Sequence, residues 1–443
     1  MILLCLLTRI NPGDEHRMSR LVVGNGSQLL LFPSSFDCWL PSDHNVRFFN
    51  DLIEGLDLAD VRNTVNLSQK RGRSAFDPVA MTKIVLYGYL EGTISARALE
   101  KACIDRLDFR FLTGNRCPSY RSIARYKKSS LKILAGLHEQ VLLIAAAEGL
   151  VELKQVSIDG SKLLANASKH KAMSYEYMCK REIELASEIR ALKKERGTGS
   201  RARQKEIEED LEFKGSRLSH IRKWKRTLEG RARDDGRAKP EPKEQINFTD
   251  EESRIMRVEK HFEQAYNAQA AVDKRSQIVL AALVTQDHND KKLLETMVDS
   301  IAGTIGLVPD CVLADSGYFS EDQIRRVQEK YKSVKFLVPP DREQQVENVI
   351  AIRGRIPKNI STSDLMRRKL RTKDGRATYA ERKTTVEPVF GQIKEANQDF
   401  RQFSYRGLEN TQDEWSVVCI AHNLLKIIRH RQQRQAARLR LVA

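Results

Sequence analysis

The chain has 443 residues, enough for two or three domains and a sizeable core, and its 41% hydrophobic content excludes a wholly disordered protein. Its formal charge is +17, from 76 Lys and Arg against 59 Asp and Glu. That excess points to polyanionic partners, nucleic acid before a membrane surface.

Residues 1–24 open on a short apolar run with no basic segment before it, too short for a signal peptide or a membrane span. They read as a leader, with a second start-like methionine at Met18. No later stretch reaches the roughly eighteen apolar residues of a span, so no membrane is expected as a partner and the expected location is cytoplasmic. Seven cysteines, at positions 5, 38, 103, 117, 179, 311 and 419, form no CxxC pair. They exclude a zinc module and read as reduced thiols.

The next segment starts with a strand-like "QLLLF" and continues, after Pro33, into an amphipathic helix around "NVRFFNDLIEGL". From Phe76 to Gly149 apolar residues recur with helical spacing, and Gly92, Gly114 and Gly149 are placed to end the segments. Residues 25–150 are therefore expected to form an all-α N-terminal domain. Its polar faces carry Arg97, Lys101, Arg121, Arg125, Lys127 and Lys128. Tight helical turns with such faces fit a helix-turn-helix-like DNA-binding domain, and equally a plain bundle with a solvated basic face.

Strand character begins at "QVSID" and pauses for residues 174–245, about half of them charged, which read as two long helices broken at Gly197–Gly199. It resumes with "AYNAQAAVD" and "QIVLAALVTQ" as strands, "KLLETMVDSIAG" as a helix, "DCVLADSGY" as a buried strand, a helix, and "VKFLVPP" as a strand. This is an α/β layered pattern interrupted by a charged helical insertion. A basic loop around residues 367–376 precedes two last helices, from about Thr384 to Ala396 and from Thr411 to Arg429, and residues 431–443 read as a basic tail.

Two aspartates, Asp159 after "VSI" and Asp315 after "VLA", end apolar strands of this α/β part, where open sheets place their ligands. Glu387 opens a late helix. Three carboxylates from separate elements, without Cys or His, make a hard oxygen site suited to Mg²⁺, with Mn²⁺ able to substitute; two such ions serve phosphodiester chemistry. Each residue also has a purely structural role open to it. Asp159-Gly160 is a common hairpin turn, Asp315 can begin a loop, and Thr384-x-x-Glu387 is a capping box followed by a tolerable Pro388.

From about Leu29 to Ile428 the chain resembles the DDE transposases of bacterial insertion sequences. "FDPVAMTKIVLYGYLEGTISARALEKAC" with "CPSYRSIARYKKS" is similar to their helical N-terminal domain. "VSIDGSKLLANASKHKAMSYE", "VLADSGYFSEDQI" and "YAERKTTVEPVFGQIK" are similar to their three catalytic blocks. The resemblance implies a ribonuclease H-like mixed sheet flanked by helices over residues 151–430, with Asp159 on its first strand and Asp315 on its fourth. It makes Asp159, Asp315 and Glu387 the catalytic, metal-holding triad. Tyr379, Arg382 and Lys394 correspond to the signature's Tyr, Arg and Lys, although four residues separate Arg382 from Glu387 where the commonest form has three. Lys394 is then expected on the face of Glu387, reaching a DNA phosphate, and Lys162, Asn166, Lys169 and His170 are expected along the DNA approach. The implied reaction is Mg²⁺-dependent cleavage of double-stranded DNA at the element's terminal inverted repeats, then joining of the 3′-hydroxyl ends to target DNA. The implied setting is a homodimer on DNA in the bacterial nucleoid. A catalytically silent DNA-binding derivative and a plain nuclease of the same fold are the competing readings.

Overall fold

A computed structural model describes residues 35–64, 75–197, 200–340, 356 and 359–442. The expected leader and the "QLLLF" strand lie outside these residues. Contacts divide the chain into a unit Met1–Ser42, whose described part holds a 3-10 turn at Phe36–Cys38, and a unit Asp43–Ala443, to which everything below belongs.

Helices come first: α1 (Asn45–Glu54), α2 (Ala59–Arg62), α3 (Pro78–Leu90), α4 (Ala96–Asp105), α5 (Leu107–Leu112), α6 (Tyr120–Gly136) and α7 (His138–Ala147). Their starts follow from capping chemistry. Asp77 accepts the amides of Val79 and Ala80 with Pro78 in the first turn, and Ser95 and Ser119 cap α4 and α6. Gly92, Gly114 and Gly149 take the left-handed conformation that the sequence assigns to helix ends. Arg97, Lys101, Arg121, Arg125 and Lys128 are exposed as expected, but Lys127 is not. It is 6% exposed, donates to the Ile94 carbonyl at 2.7 Å and lies over the Tyr89 ring, so it belongs to the core and not to a basic face.

The α/β part begins with β1 (Gln155–Leu164) and the short β2 (Ala172–Ser174), then the insertion helices α8 (Tyr175–Glu195) and α9 (Arg201–Asp234). These two form a hairpin with a small core of its own, Met178 and Leu185 against Leu218, Ile221 and Leu228. After it come β3 (Gln245–Asn247), β4 (Arg254–Val258), β5 (His261–Asp273), β6 (Val279–Thr285), α10 (Leu293–Ile305), β7 (Cys311–Ala314), α11 (Glu321–Lys330) and β8 (Lys335–Leu337). Among the described residues the main sheet has six strands. β5 pairs antiparallel with β1, β6 antiparallel with β5, and β7 and β8 continue parallel beyond β1. The order β6-β5-β1-β7-β8, three antiparallel strands followed by two parallel ones with helices around them, is ribonuclease H-like. β4 is an added strand on the outer side of β5, and β2 pairs with β3 in a separate ribbon at the foot of the hairpin.

The chain closes with α12 (Thr362–Arg371), α13 (Lys373–Gly391), a π-helical turn at Gln392–Ala396, and α14 (Leu408–Val442). The expected basic loop is thus helical, and the last helix runs through the expected tail to Val442. Helix α14 packs on β6 and also on α1, α3, α6 and α7, so one element joins the helical part to the sheet. Its residue Glu414 is fully buried and accepts the Tyr89 hydroxyl at 2.8 Å and the Ser404 amide at 2.8 Å. Among the described residues no single helix is long and apolar enough to cross a membrane.

Candidate active site

Asp159 does not end its strand. β1 continues through Gly160 to Leu164, paired residue by residue with β5. The hairpin turn that Asp-Gly suggests is therefore absent, and the glycine has another cause. Gly160 faces Gln269 across the strands, and a Cβ on it would press into the Gln269 amide, 2.8 Å from Cδ, and stand 3.0 Å from Asn267 Oδ1. The residue after Asp159 has no side chain because a partner's side chain fills its place.

In the parallel pairing of β1 with β7 the last partners are Ile158 and Ala314, so Asp159 and Asp315 are the next residues along two neighbouring strands. Asp315 leaves β7 as expected and caps a 3-10 turn, Ser316–Tyr318, by accepting the Gly317 amide at 2.9 Å. Burial pushes the Asp159 carboxyl up to about 6, and the nearby charges of Asp315 and Asp290 push the same way. The Arg382 guanidinium and the Gly160 amide oppose this.

Glu387 stands in the middle of α13, which begins at Lys373, so neither it nor Thr384 belongs to a helix start and the capping-box alternative is excluded. Pro388 lies inside the helix. Five residues before Glu387, Arg382 is 5% exposed and bridges the site. Its Nη1 donates to Asp159 Oδ2 at 3.2 Å, and its Nη2 stands 3.7 Å from Glu387 Oε1. A fourth intervening residue in the signature thus still brings the arginine to the carboxylates. Buried there, it meets Asp159 instead of the surface where a phosphate would lie.

Lys394 falls in the π-helical turn, so the expected α-helical spacing from Glu387 is not kept. Its ammonium donates to the Ser161 hydroxyl, two residues beyond Asp159 on the same face of β1. Burial lowers its proton affinity. Lys162, on the opposite face, lies 3.8 Å from Asp290 Oδ1. Lys169 is exposed and paired with Glu263 at 2.6 Å, Asn166 donates to the Ser404 carbonyl at 2.6 Å, and His170 is exposed. Arg121 and Arg125 project from α6, with Arg121 beside the Tyr120 ring, and Tyr379 is half-buried on α13.

Sequence reasoning missed Asp290. Its Oδ1 accepts from Asn267 at 2.6 Å and from Gln269 at 2.8 Å, while Tyr318 donates its hydroxyl to Gln269 Oε1. A Cβ on Gly317 would stand 2.9 Å from Asp315 Oδ1 and 3.5 Å from Asp290 Oδ2, so this glycine fits between the two acids. The available signal was topological. β6 runs parallel to β1 and β7, and the "QDHND" after it reaches the same sheet edge as the two aspartates.

Crowded carboxylates with no sulfur or imidazole among them fit a hard divalent cation such as Mg²⁺. Among the described residues no three His, Cys, Asp or Glu side chains are gathered closely enough to hold an ion as they stand, and Glu387 remains turned to Arg382, its side chain 54% exposed. Two family models match the chain: a transposase DDE domain over residues 216–424, and a second transposase domain over residues 34–129. The first match includes Asp315 and Glu387 and begins beyond Asp159. No curated protein and no solved structure matches the chain.

Proposed function

Because the chain belongs to the DDE transposases of insertion sequences, we propose that it cuts double-stranded DNA at the terminal inverted repeats of its element and joins the 3′-hydroxyl ends to target DNA. The observation that carries this reading is the Arg382 guanidinium set between Asp159 and Glu387, with Asp315 level with Asp159 just past the last pair of two neighbouring strands. Transposases of this family generally use divalent metals. Asp159, Asp315 and Glu387 would hold Mg²⁺, or Mn²⁺ in its place, and the ions would supply Lewis acidity to the attacking and leaving oxygens.

The chain's own groups prepare the site. Arg382 offsets the mutual repulsion of the carboxylates and holds the Asp159 side chain in one orientation. Lys394 ties the π-helical turn to β1 at Ser161 and keeps a positive charge near the scissile phosphate. Exposed Arg121 and Arg125 on α6, with Lys162, Lys169 and Tyr379 nearer the sheet, contact the DNA backbone, which fixes register without reading sequence. The helical residues preceding β1 recognise the ends, and bringing two ends together calls for a homodimer on DNA, in the bacterial nucleoid.

The test is cleavage of labelled duplex carrying the element's own ends, with Mg²⁺ or with EDTA. Asp159→Ala, Asp315→Ala and Glu387→Ala are each expected to abolish metal-dependent cleavage and leave duplex binding within about twofold, because binding rests on phosphate contacts elsewhere. Duplex binding by the wild-type protein without cleavage under either metal would assign the chain to the catalytically silent DNA-binding derivatives.

A further inference from the structure

A large groove lies away from the carboxylates, along the insertion hairpin. It has a volume of about 820 Å³ and is walled by α8, α9 and the segment that leads from β1 into β2. That is within the ~300–1,000 Å³ range that encloses a small organic ligand.

Two kinds of side chain line it. Tyr177 and Phe213 turn their rings into the groove and are 52% and 65% exposed. They take no part in the hairpin's small core, which is complete without them. Two exposed rings in one groove offer an apolar surface to a ligand with an apolar face of its own. Lys171, Arg217 and His220 supply the second kind. Some cationic side chains of the hairpin meet acids, as in Lys214 with Glu188 at 2.6 Å and Arg222 with Glu182 at 2.9 Å. Among the described residues no Asp or Glu lines this groove, and neither Lys171 nor Arg217 has a carboxylate partner.

We propose that this groove binds single-stranded DNA, its bases stacking on Tyr177 and Phe213 and its phosphates meeting Lys171 and Arg217. Duplex DNA hides its base faces, so exposed rings beside unpaired cations select an unpaired strand, the combination by which single strands are held without sequence preference. Position supports the same occupant. From Asp159, β1 runs five residues, about 17 Å, to Leu164, and the chain reaches the groove's first lining residue, His170, six residues later. A strand freed at the carboxylates has a short path there. The inference rests on the proposed DNA-cutting function for the choice of DNA over RNA and for the source of the unpaired strand.

The test uses the full chain in EDTA, so that no cleavage intervenes, with fluorescent oligo(dT), oligo(rU) and blunt duplex as probes. The double variant Tyr177→Ala/Phe213→Ala removes only exposed rings and is expected to fold. It should bind oligo(dT) at least about tenfold more weakly than wild type and bind duplex within about twofold. Arg217→Glu should weaken oligo(dT) binding and flatten its dependence on salt. Equal oligo(dT) binding by wild type and the double variant overturns the proposal, as does tighter binding of oligo(rU). So does a wild-type dimer that the double variant dissociates, which would make the groove an interface between copies of this chain. Failure of the proposed function shows differently, as absent duplex binding or metal-dependent cleavage whatever the oligo(dT) result.

Discussion

Gly160→Ala tests whether Gly160 is present to make room. The added methyl would enter space held by the Gln269 amide, whose Nε2 donates to Asn267 Oδ1 at 2.9 Å and Asp290 Oδ1 at 2.8 Å. Displacing it removes one neutral bond, about 1 kcal/mol, and one to a charged acceptor, about 1.5–3 kcal/mol. Alanine in place of glycine within a strand returns about 0.5–1 kcal/mol. The expected net loss is about 2 kcal/mol of folding stability, read from urea unfolding followed by circular dichroism. In a Gln269→Ala background the obstruction is gone, and the same substitution should be neutral or stabilising by up to about 1 kcal/mol. An equal cost in both backgrounds would refute the steric account and return Gly160 to a purely backbone role.

Three other perturbations probe the groups around this site and the core beneath it. His422 is 2% exposed, its Nε2 is 2.9 Å from the Gln277 carbonyl, and burial depresses its protonation to about 3. A depressed histidine leaves stability intact above the unfolded value near 6.5 and erodes it as pH falls toward 3. Between pH 7 and 5 the loss should be about 2 kcal/mol, and His422→Gln should remove that slope from urea midpoints measured at both pH values. Tyr89→Phe strips a hydrogen bond from fully buried Glu414 and should cost about 1–3 kcal/mol in thermal or urea unfolding, whereas an unchanged midpoint would mean that water or another donor replaces the hydroxyl. Asp290→Asn keeps an acceptor for Gln269 but removes a negative charge, so the Asp159 carboxyl should titrate lower in metal-free protein when followed by carboxyl carbon NMR. No shift would mean that the two acids do not sense each other.

Much of this architecture was legible in the sequence because it is written in periodicity. The helices before Gly149, the charged hairpin and the buried strand before Asp315 carry their own local signals. What local signals could not give was long-range. Asp-Gly reads as a turn until β5 is seen running opposite it, and a basic residue on a helix reads as surface until Lys127 is seen buried over the Tyr89 ring with its ammonium on the Ile94 carbonyl. Thr384-x-x-Glu387 is a good capping box in the wrong place, since Thr372 caps a helix that starts at Lys373 and absorbs the proline within it. The resemblance pointed to Arg382 and Lys394, but their bonds to Asp159 and Ser161 join residues 223 and 233 positions apart. Asp290 escaped because it belongs to no quoted motif, and only the direction of β6 brings it to the carboxylate edge.

Helix α14 acts as a common axle. One face bears on β6 and another on α1, α3, α6 and α7, and Gln412 and Asn423 bond directly to the backbone of β6. A single rigid rod therefore sets how far the basic helices stand from the carboxylate edge, and at what rotation. Inserting one residue after Glu414 would advance everything beyond it by about 1.5 Å and turn it by about 100°. Gln412 before the insertion and Asn423 beyond it could then no longer both reach β6, and the helical part would lose its seat on the sheet although no residue at either surface had been altered.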